Sequence, residues 1–165
     1  GLASGLVLGN LGFTHCCIED VGTLRSIPNI AIVTPSDPFE LFKLLNDALD
    51  YKDSVYIRLT AGSNTKIINN KDYKFKIGEA VEILSGEDVV IIGCGNILGN
   101  CLEAASALRK KNIQCAVVNM HTIKPIDKEA ILNSANTPSC SSVRRISFRQ
   151  ITPCGHSPVS LTEAM

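Results

Sequence analysis

The strongest constraint in this 165-residue chain is an alternation. Short apolar, β-branched runs take turns with stretches whose apolar residues recur at helical spacing. Ile30-Ala31-Ile32-Val33-Thr34 has the composition of a buried parallel strand. In Asp37-Pro38-Phe39-Glu40, Asp37 can cap a helix, Pro38 suits its first position and Glu40 completes a capping box. Leu41, Phe42, Leu45, Ala48 and Leu49 then form one apolar helical face. Ser54 to Leu59 reads as the next strand. Residues 61–74 are polar, turn-rich and without period, and mark a linker. Beyond it the alternation restarts. Gly78 to Leu84 reads as an edge strand and Asp88 to Ile92 as a buried one. A helix over 96–111 places Ile97, Leu98, Cys101, Leu102, Ala105 and Leu108 on one face. Gln114 to Asn119 is another strand, and Asp127 caps a helix running to Ala135. The pattern predicts an α/β protein of two modules, with mainly parallel sheets covered on both faces.

Composition excludes several classes. Sixteen Lys and Arg balance sixteen Asp and Glu, so the net charge is zero, which argues against nucleic-acid binding through phosphate neutralisation. No apolar run approaches the roughly 18 residues of a membrane span. The seven cysteines, at 16, 17, 94, 101, 115, 140 and 154, contain no C-x-x-C pair, against a zinc ribbon or a thioredoxin-like site. Their odd number predicts reduced, cytosolic thiols, most of them buried as small apolar residues. The chain opens without Met in a Gly-rich apolar stretch, and is expected to start inside a larger protein. Residues 138–165 depart from the rest: they hold three of the six Arg, no Lys, and Glu163 as their only acid. A disordered tail or an out-of-frame translation would look like this, and the abruptness favours the second.

Four groups of residues are candidates for chemistry. Gly93-Cys94-Gly95-Asn96-Ile97-Leu98-Gly99 follows a strand and opens a helix, as a dinucleotide fingerprint does. Its G-x-G-x-x-x-G spacing is one residue too long, and the next strand ends in Asn119-Met120 rather than an acid. A tight strand-to-helix turn, with Gly chosen for its backbone freedom, is the favoured reading. Gly12-Phe13-Thr14-His15-Cys16-Cys17-Ile18-Glu19-Asp20 can project the His15 imidazole into a cleft, where it would exchange protons near neutral pH. A structural histidine, or a Cys16–His15 nucleophile pair, are the other readings. Arg58 lies near a strand end, where ligands of parallel sheets gather, and its fork can take a phosphate, a carboxylate or an ion-pair partner. His121 follows a strand and can serve a site or close a loop.

Taken together these segments resemble the transketolase family. Thr14-His15-Cys16-Cys17-Ile18-Glu19-Asp20-Val21 with Leu24-Arg25-Ser26-Ile27-Pro28-Asn29 resembles its Thr-His segment. Thr34-Pro35-Ser36-Asp37 and Val55-Tyr56-Ile57-Arg58-Leu59 resemble later parts of its pyrimidine-binding domain. Phe75 to Ala80, Asp88 to Gly95 and Val118 to Ile131 resemble its C-terminal domain. The resemblance implies a partial pyrimidine-binding domain at 1–66, a linker at 67–76, an incomplete C-terminal domain at 77–137 and an anomalous tail at 138–165. It is most similar to the C-terminal subunit of split transketolases.

The resemblance implies a two-carbon ketol transfer from a ketose phosphate to an aldose phosphate in the cytoplasm. Thiamine diphosphate and Mg²⁺ or Ca²⁺ would serve the complete enzyme, with the diphosphate and metal site on another domain. His15 matches the family histidine that bonds sugar hydroxyls in the substrate channel, and Arg58 lies near the strand end that supplies a phosphate-binding arginine. An N-terminal, diphosphate-binding subunit or domain would be the partner, in a homodimer or heterotetramer. No nucleic acid or membrane is expected. Departures are Cys16 for the second histidine, Phe13 where Pro is common, Asn10-Leu11 for an acidic position, and Ala61 where some relatives carry arginine. The glutamate that activates the cofactor ring belongs to a part of the family domain not matched here. The isolated chain is therefore expected to be inactive and poorly soluble or associating. The alternatives are a 1-deoxyxylulose-5-phosphate synthase-like enzyme, a 2-oxo acid dehydrogenase beta subunit, or a non-catalytic α/β assembly module.

Overall fold

The computed structural model describes residues 4–6, 8, 11–60, 67–68 and 73–135. The anomalous tail and most of the polar stretch 61–74 lie outside them. In chain order the elements are α1 (Asp20–Arg25), β1 (Ile30–Val33), α2 (Pro38–Leu49), β2 (Ser54–Ile57), β3 (Val81–Leu84), β4 (Val89–Gly93), α3 (Leu98–Arg109), β5 (Cys115–Asn119), β6 (Thr122–Lys124) and α4 (Lys128–Ala135). The α/β class is as anticipated, but strand directions are mixed. One sheet has the order β2–β1–β6 and the other β3–β5–β4. Each contains a parallel pair, β1 with β2 and β4 with β5, and an antiparallel one, β1 with β6 and β3 with β5.

The second sheet follows from period-two packing. Cys115 and Val117 of β5 pack with Leu98 and Ala105 of α3, while Val118 packs with Ile92, Ala130 and Ile131 on the α4 side. A central strand covered on both faces is buried throughout, and every residue of β5 is. The helix expected over 96–111 is α3 with a short 3₁₀ turn before it; Leu98, Cys101, Leu102, Ala105 and Leu108 pack as anticipated, whereas Ile97 falls in the 3₁₀ turn.

The first sheet departs from expectation. Its core is Ala31, Val33 and Leu44, joined by Phe75 and Ile77. Phe75 lies inside the segment anticipated as linker, yet the side chains of Tyr73, Phe75 and Ile77 pack into this core, while Lys74 and Lys76 are exposed. In α2, Leu41, Leu44 and Ala48 face the core, whereas Phe42, Leu45 and Leu49 are exposed. The apolar residues of this helix thus lie on two faces, not one.

A two-residue corner joins the sheets. The chain leaves β5 at Asn119, passes Met120-His121 and enters β6 of the other sheet, where the Thr34 N–H donates to the His121 carbonyl at 2.8 Å. Asn119, Met120, His121 and Thr122 are all buried. Three residues of β6 are too few for a period-two signal, which is why the sequence does not announce this strand.

Candidate functional site

His15 ends a 3₁₀ turn, Phe13–His15. Gly12 precedes it at φ +85°, a conformation that L side chains rarely adopt, and its carbonyl accepts from the His15 N–H at 3.1 Å. The turn is exposed. Nδ1 of His15 pairs with the Thr14 hydroxyl at 3.0 Å, while the Cys16 thiol donates to the Gly12 carbonyl at 3.5 Å. The two side chains engage different partners, which is not the arrangement of a Cys–His nucleophile pair. Among the described residues Nε2 of His15 has no partner, so it is the ring nitrogen open to a ligand.

Two attachments hold this turn to the end of β2. Cys17 and Gly5 exchange backbone bonds of 2.7 and 3.1 Å, and Ser4 donates to the Leu59 carbonyl through its N–H at 3.0 Å and its hydroxyl at 2.8 Å. On the other side, Arg58 gives both oxygens of Asp20 a donor, Nε at 2.7 Å and Nη2 at 3.3 Å. The Tyr56 hydroxyl adds a bond to Asp20 at 3.1 Å. Burial alone would raise the Asp20 pKa, but the bonds and charge of Arg58, with help from Tyr56 and the Val21 N–H, outweigh it and hold the carboxyl below its ordinary range. Burial and then Asp20 push the Tyr56 hydroxyl up. Arg58 is only 7% exposed. Its fork, anticipated as a phosphate ligand, is turned to a carboxylate of the same chain.

The other candidates are structural. Gly95 has φ +63°, and a Cβ there would sit 2.6 Å from the Thr34 hydroxyl, so the glycine motif is a tight turn packed against β1. His121 is buried, stacks on Phe75 with ring centroids 4.1 Å apart, and meets the Thr122 hydroxyl at 3.0 Å through Nδ1. Burial pushes its pKa down, against the pull of Glu40, Asp47 and Asp127. Of the five described cysteines, all free thiols, only Cys115 is fully buried, fewer than anticipated. Among the described residues no three His, Cys, Asp or Glu side chains gather as metal ligands. Nor is any described helix long and apolar enough to cross a membrane.

Sequence reading did not single out Glu40 beyond its place in a capping box. The helix cap itself forms, with Asp37 Oδ1 accepting from the Glu40 N–H at 2.8 Å. The Glu40 carboxylate, however, does not return to the cap residue. Oε2 accepts from the Ser36 N–H and hydroxyl at 2.6 and 2.7 Å, and Oε1 from the Tyr73 hydroxyl and the Asn119 amide, both at 2.6 Å.

Comparison with known proteins agrees with this architecture. Residues 2–65 match the transketolase pyrimidine-binding domain and residues 78–145 the transketolase C-terminal domain. The chain belongs to the transketolase family. It is 36% identical, over 82% of its length, to one of the subunits of an apulose-4-phosphate transketolase from Phocaeicola vulgatus, and spans 43% of that relative. It is 33% identical, over 79% of its length and 20% of the relative's, to a 1-deoxy-D-xylulose-5-phosphate synthase of Heliobacterium modesticaldum. A solved split-gene transketolase, described as an inactive β4 tetramer, superposes with a TM-score of 0.72 at 29% identity, covering 83% of this chain and 43% of that one.

Proposed function

We propose that this chain is part of the C-terminal subunit of a split transketolase. It would transfer a two-carbon ketol unit from a ketose phosphate to an aldose phosphate together with an N-terminal, diphosphate-binding subunit. The observation that carries this reading is the exposed His15 turn, fastened to a strand end and leaving Nε2 open. In the assembled enzyme His15 contacts the sugar hydroxyls, where an imidazole nitrogen can form one hydrogen bond. Thiamine diphosphate supplies the electron sink when bound, with Mg²⁺ or Ca²⁺ held by the partner. The assembly would be a homodimer or heterotetramer in the cytoplasm, in keeping with the free thiols.

The chain spans 43% of its Phocaeicola relative, and the solved neighbour is described as inactive in a tetramer of one subunit type. Both support a need for a second kind of subunit. The test is turnover by the 165-residue chain alone and mixed with an N-terminal transketolase subunit, thiamine diphosphate and Mg²⁺. No turnover alone and turnover in the mixture are expected. His15→Gln in the mixture should lower kcat/KM by roughly 10–100-fold, the worth of about 1–3 kcal/mol for one hydrogen bond. Turnover by the isolated chain would overturn the subunit reading. Formation of 1-deoxyxylulose 5-phosphate instead would select the synthase reading, which the Heliobacterium relative favours. Absence of both turnover and complex formation would leave a non-catalytic module.

A further inference from the structure

The turn that carries His15 has little packing of its own. Leu11, Phe13 and Ile18 are exposed, Phe13 by 89%. A peptide turn without buried side chains samples several conformations unless its ends are tied. Its placement therefore rests on the two attachments at Cys17 and Asp20.

Both attachments end on the same short stretch of backbone. Ser4 reaches Leu59, and Gly5 then reaches Cys17. Asp20 is reached from Arg58 and Tyr56. The backbone of this stretch is itself set by β1, because the Arg58 N–H donates to the Val33 carbonyl at 2.8 Å. Val33 is completely buried, so the origin of the Arg58 side chain is tied to a buried strand of the first sheet. A planar guanidinium bonded to both oxygens of one carboxylate fixes its plane as well as its position.

We propose that Arg58 is a positioning residue for His15, transferring the order of the β1–β2 pair to the exposed turn through the Asp20 carboxylate. The assignment rests on the reading of His15 as the sugar-contacting residue. It differs from a phosphate-binding role because the fork faces Asp20, and from a plain core ion pair because its partner begins the helix that directly follows the turn. Lysine cannot replace it, since an ammonium gives the carboxylate a point charge and no fixed plane.

The test uses NMR of the 165-residue chain, with the His15 Cε1–H signal assigned through His15→Gln. Amide signals of β1 and β2 serve as the control for folding. In Arg58→Lys and in Asp20→Asn the His15 signal is expected to shift and broaden, as exchange among turn conformers sets in, while the β1 and β2 amides stay in place. The swapped pair, Asp20→Arg with Arg58→Asp, should return the His15 signal towards its original line. An unchanged His15 signal in the single variants would overturn the proposal. So would loss of the β1 and β2 amides in every variant including the swap, since the pair would then serve the sheet and not the turn. The readout needs no turnover, so a positive result beside an inactive subunit mixture would remove the transketolase reading and leave the positioning role intact.

Discussion

The side-chain amide of Asn119 donates to Oε1 of Glu40 at 2.6 Å, across 79 positions of chain. Glu40 stands in the first turn of α2 and Asn119 at the end of β5, so one carboxylate fastens a helix of the first sheet to the central strand of the second. Ser36 and Tyr73 complete its coordination, and the side chain is fully buried.

Glu40→Ala strands four donors. Each stranded buried group costs about 1–3 kcal/mol, so a loss of about 3 kcal/mol or more is expected. Tyr73→Phe removes one hydroxyl and no acceptor, and should cost about 1 kcal/mol. Burial and then Glu40 hold the Tyr73 pKa well above its ordinary 10.0, so its proton stays on the oxygen at any pH of interest. Urea unfolding midpoints of the three proteins would check the order.

His121 makes stability pH-dependent. Burial depresses its pKa from the ordinary 6.5, so the unfolded chain binds the proton more readily than the folded one. The stabilising contribution is complete above about pH 6.5 and falls as the pH drops towards the folded value. His121→Gln should flatten this part of the profile while lowering stability overall, through loss of the Phe75 stack. Urea midpoints from pH 5 to 8 would show it; parallel profiles for the two proteins would refute it.

Two glycines of the strand-to-helix turn should respond with opposite sign. Gly95→Ala forces a side chain into φ +63° and against the Thr34 hydroxyl, at a cost of about 1–2 kcal/mol for the backbone alone. Gly99 lies in α3, where a Cβ meets only Ile68 at 3.8 Å. Gly99→Ala should stabilise by about 0.5 kcal/mol through helix propensity. Thermal melts of both variants separate the two effects.

The outer face of α2 should govern association. Phe42 is 69% exposed and Leu49 85%, so replacing both with Ser should change stability by less than about 1 kcal/mol. It should reduce self-association in sedimentation, because exposed apolar area drives it. Leu44→Ala, inside the first core, should instead cost about 2–5 kcal/mol.

What the sequence discloses follows the range of the interaction. The Asp37 cap, the α3 face and the β4 and β5 runs are encoded within a few residues, and they stand where periodicity puts them. The second half of the Glu40 role depends on Asn119 and Tyr73, which no local pattern connects to it. The exposure of Phe42 and Leu49 follows from which face of α2 meets β1, a tertiary choice. At the candidate site, the Thr-His turn is visible as a motif. That Arg58 addresses Asp20 spans a sequence separation of 38, and the type of residue alone fits a phosphate equally well.

Because β6 closes the first sheet and Phe75 and Ile77 fill its core, the first sheet draws on chain from both sides of the boundary between the two family domains. Residues 1–66 made alone would lack their third strand and part of their core, and residues 78–165 would carry an orphan strand. A chain nicked within 61–72 should therefore hold together as a noncovalent pair, each fragment completing the other.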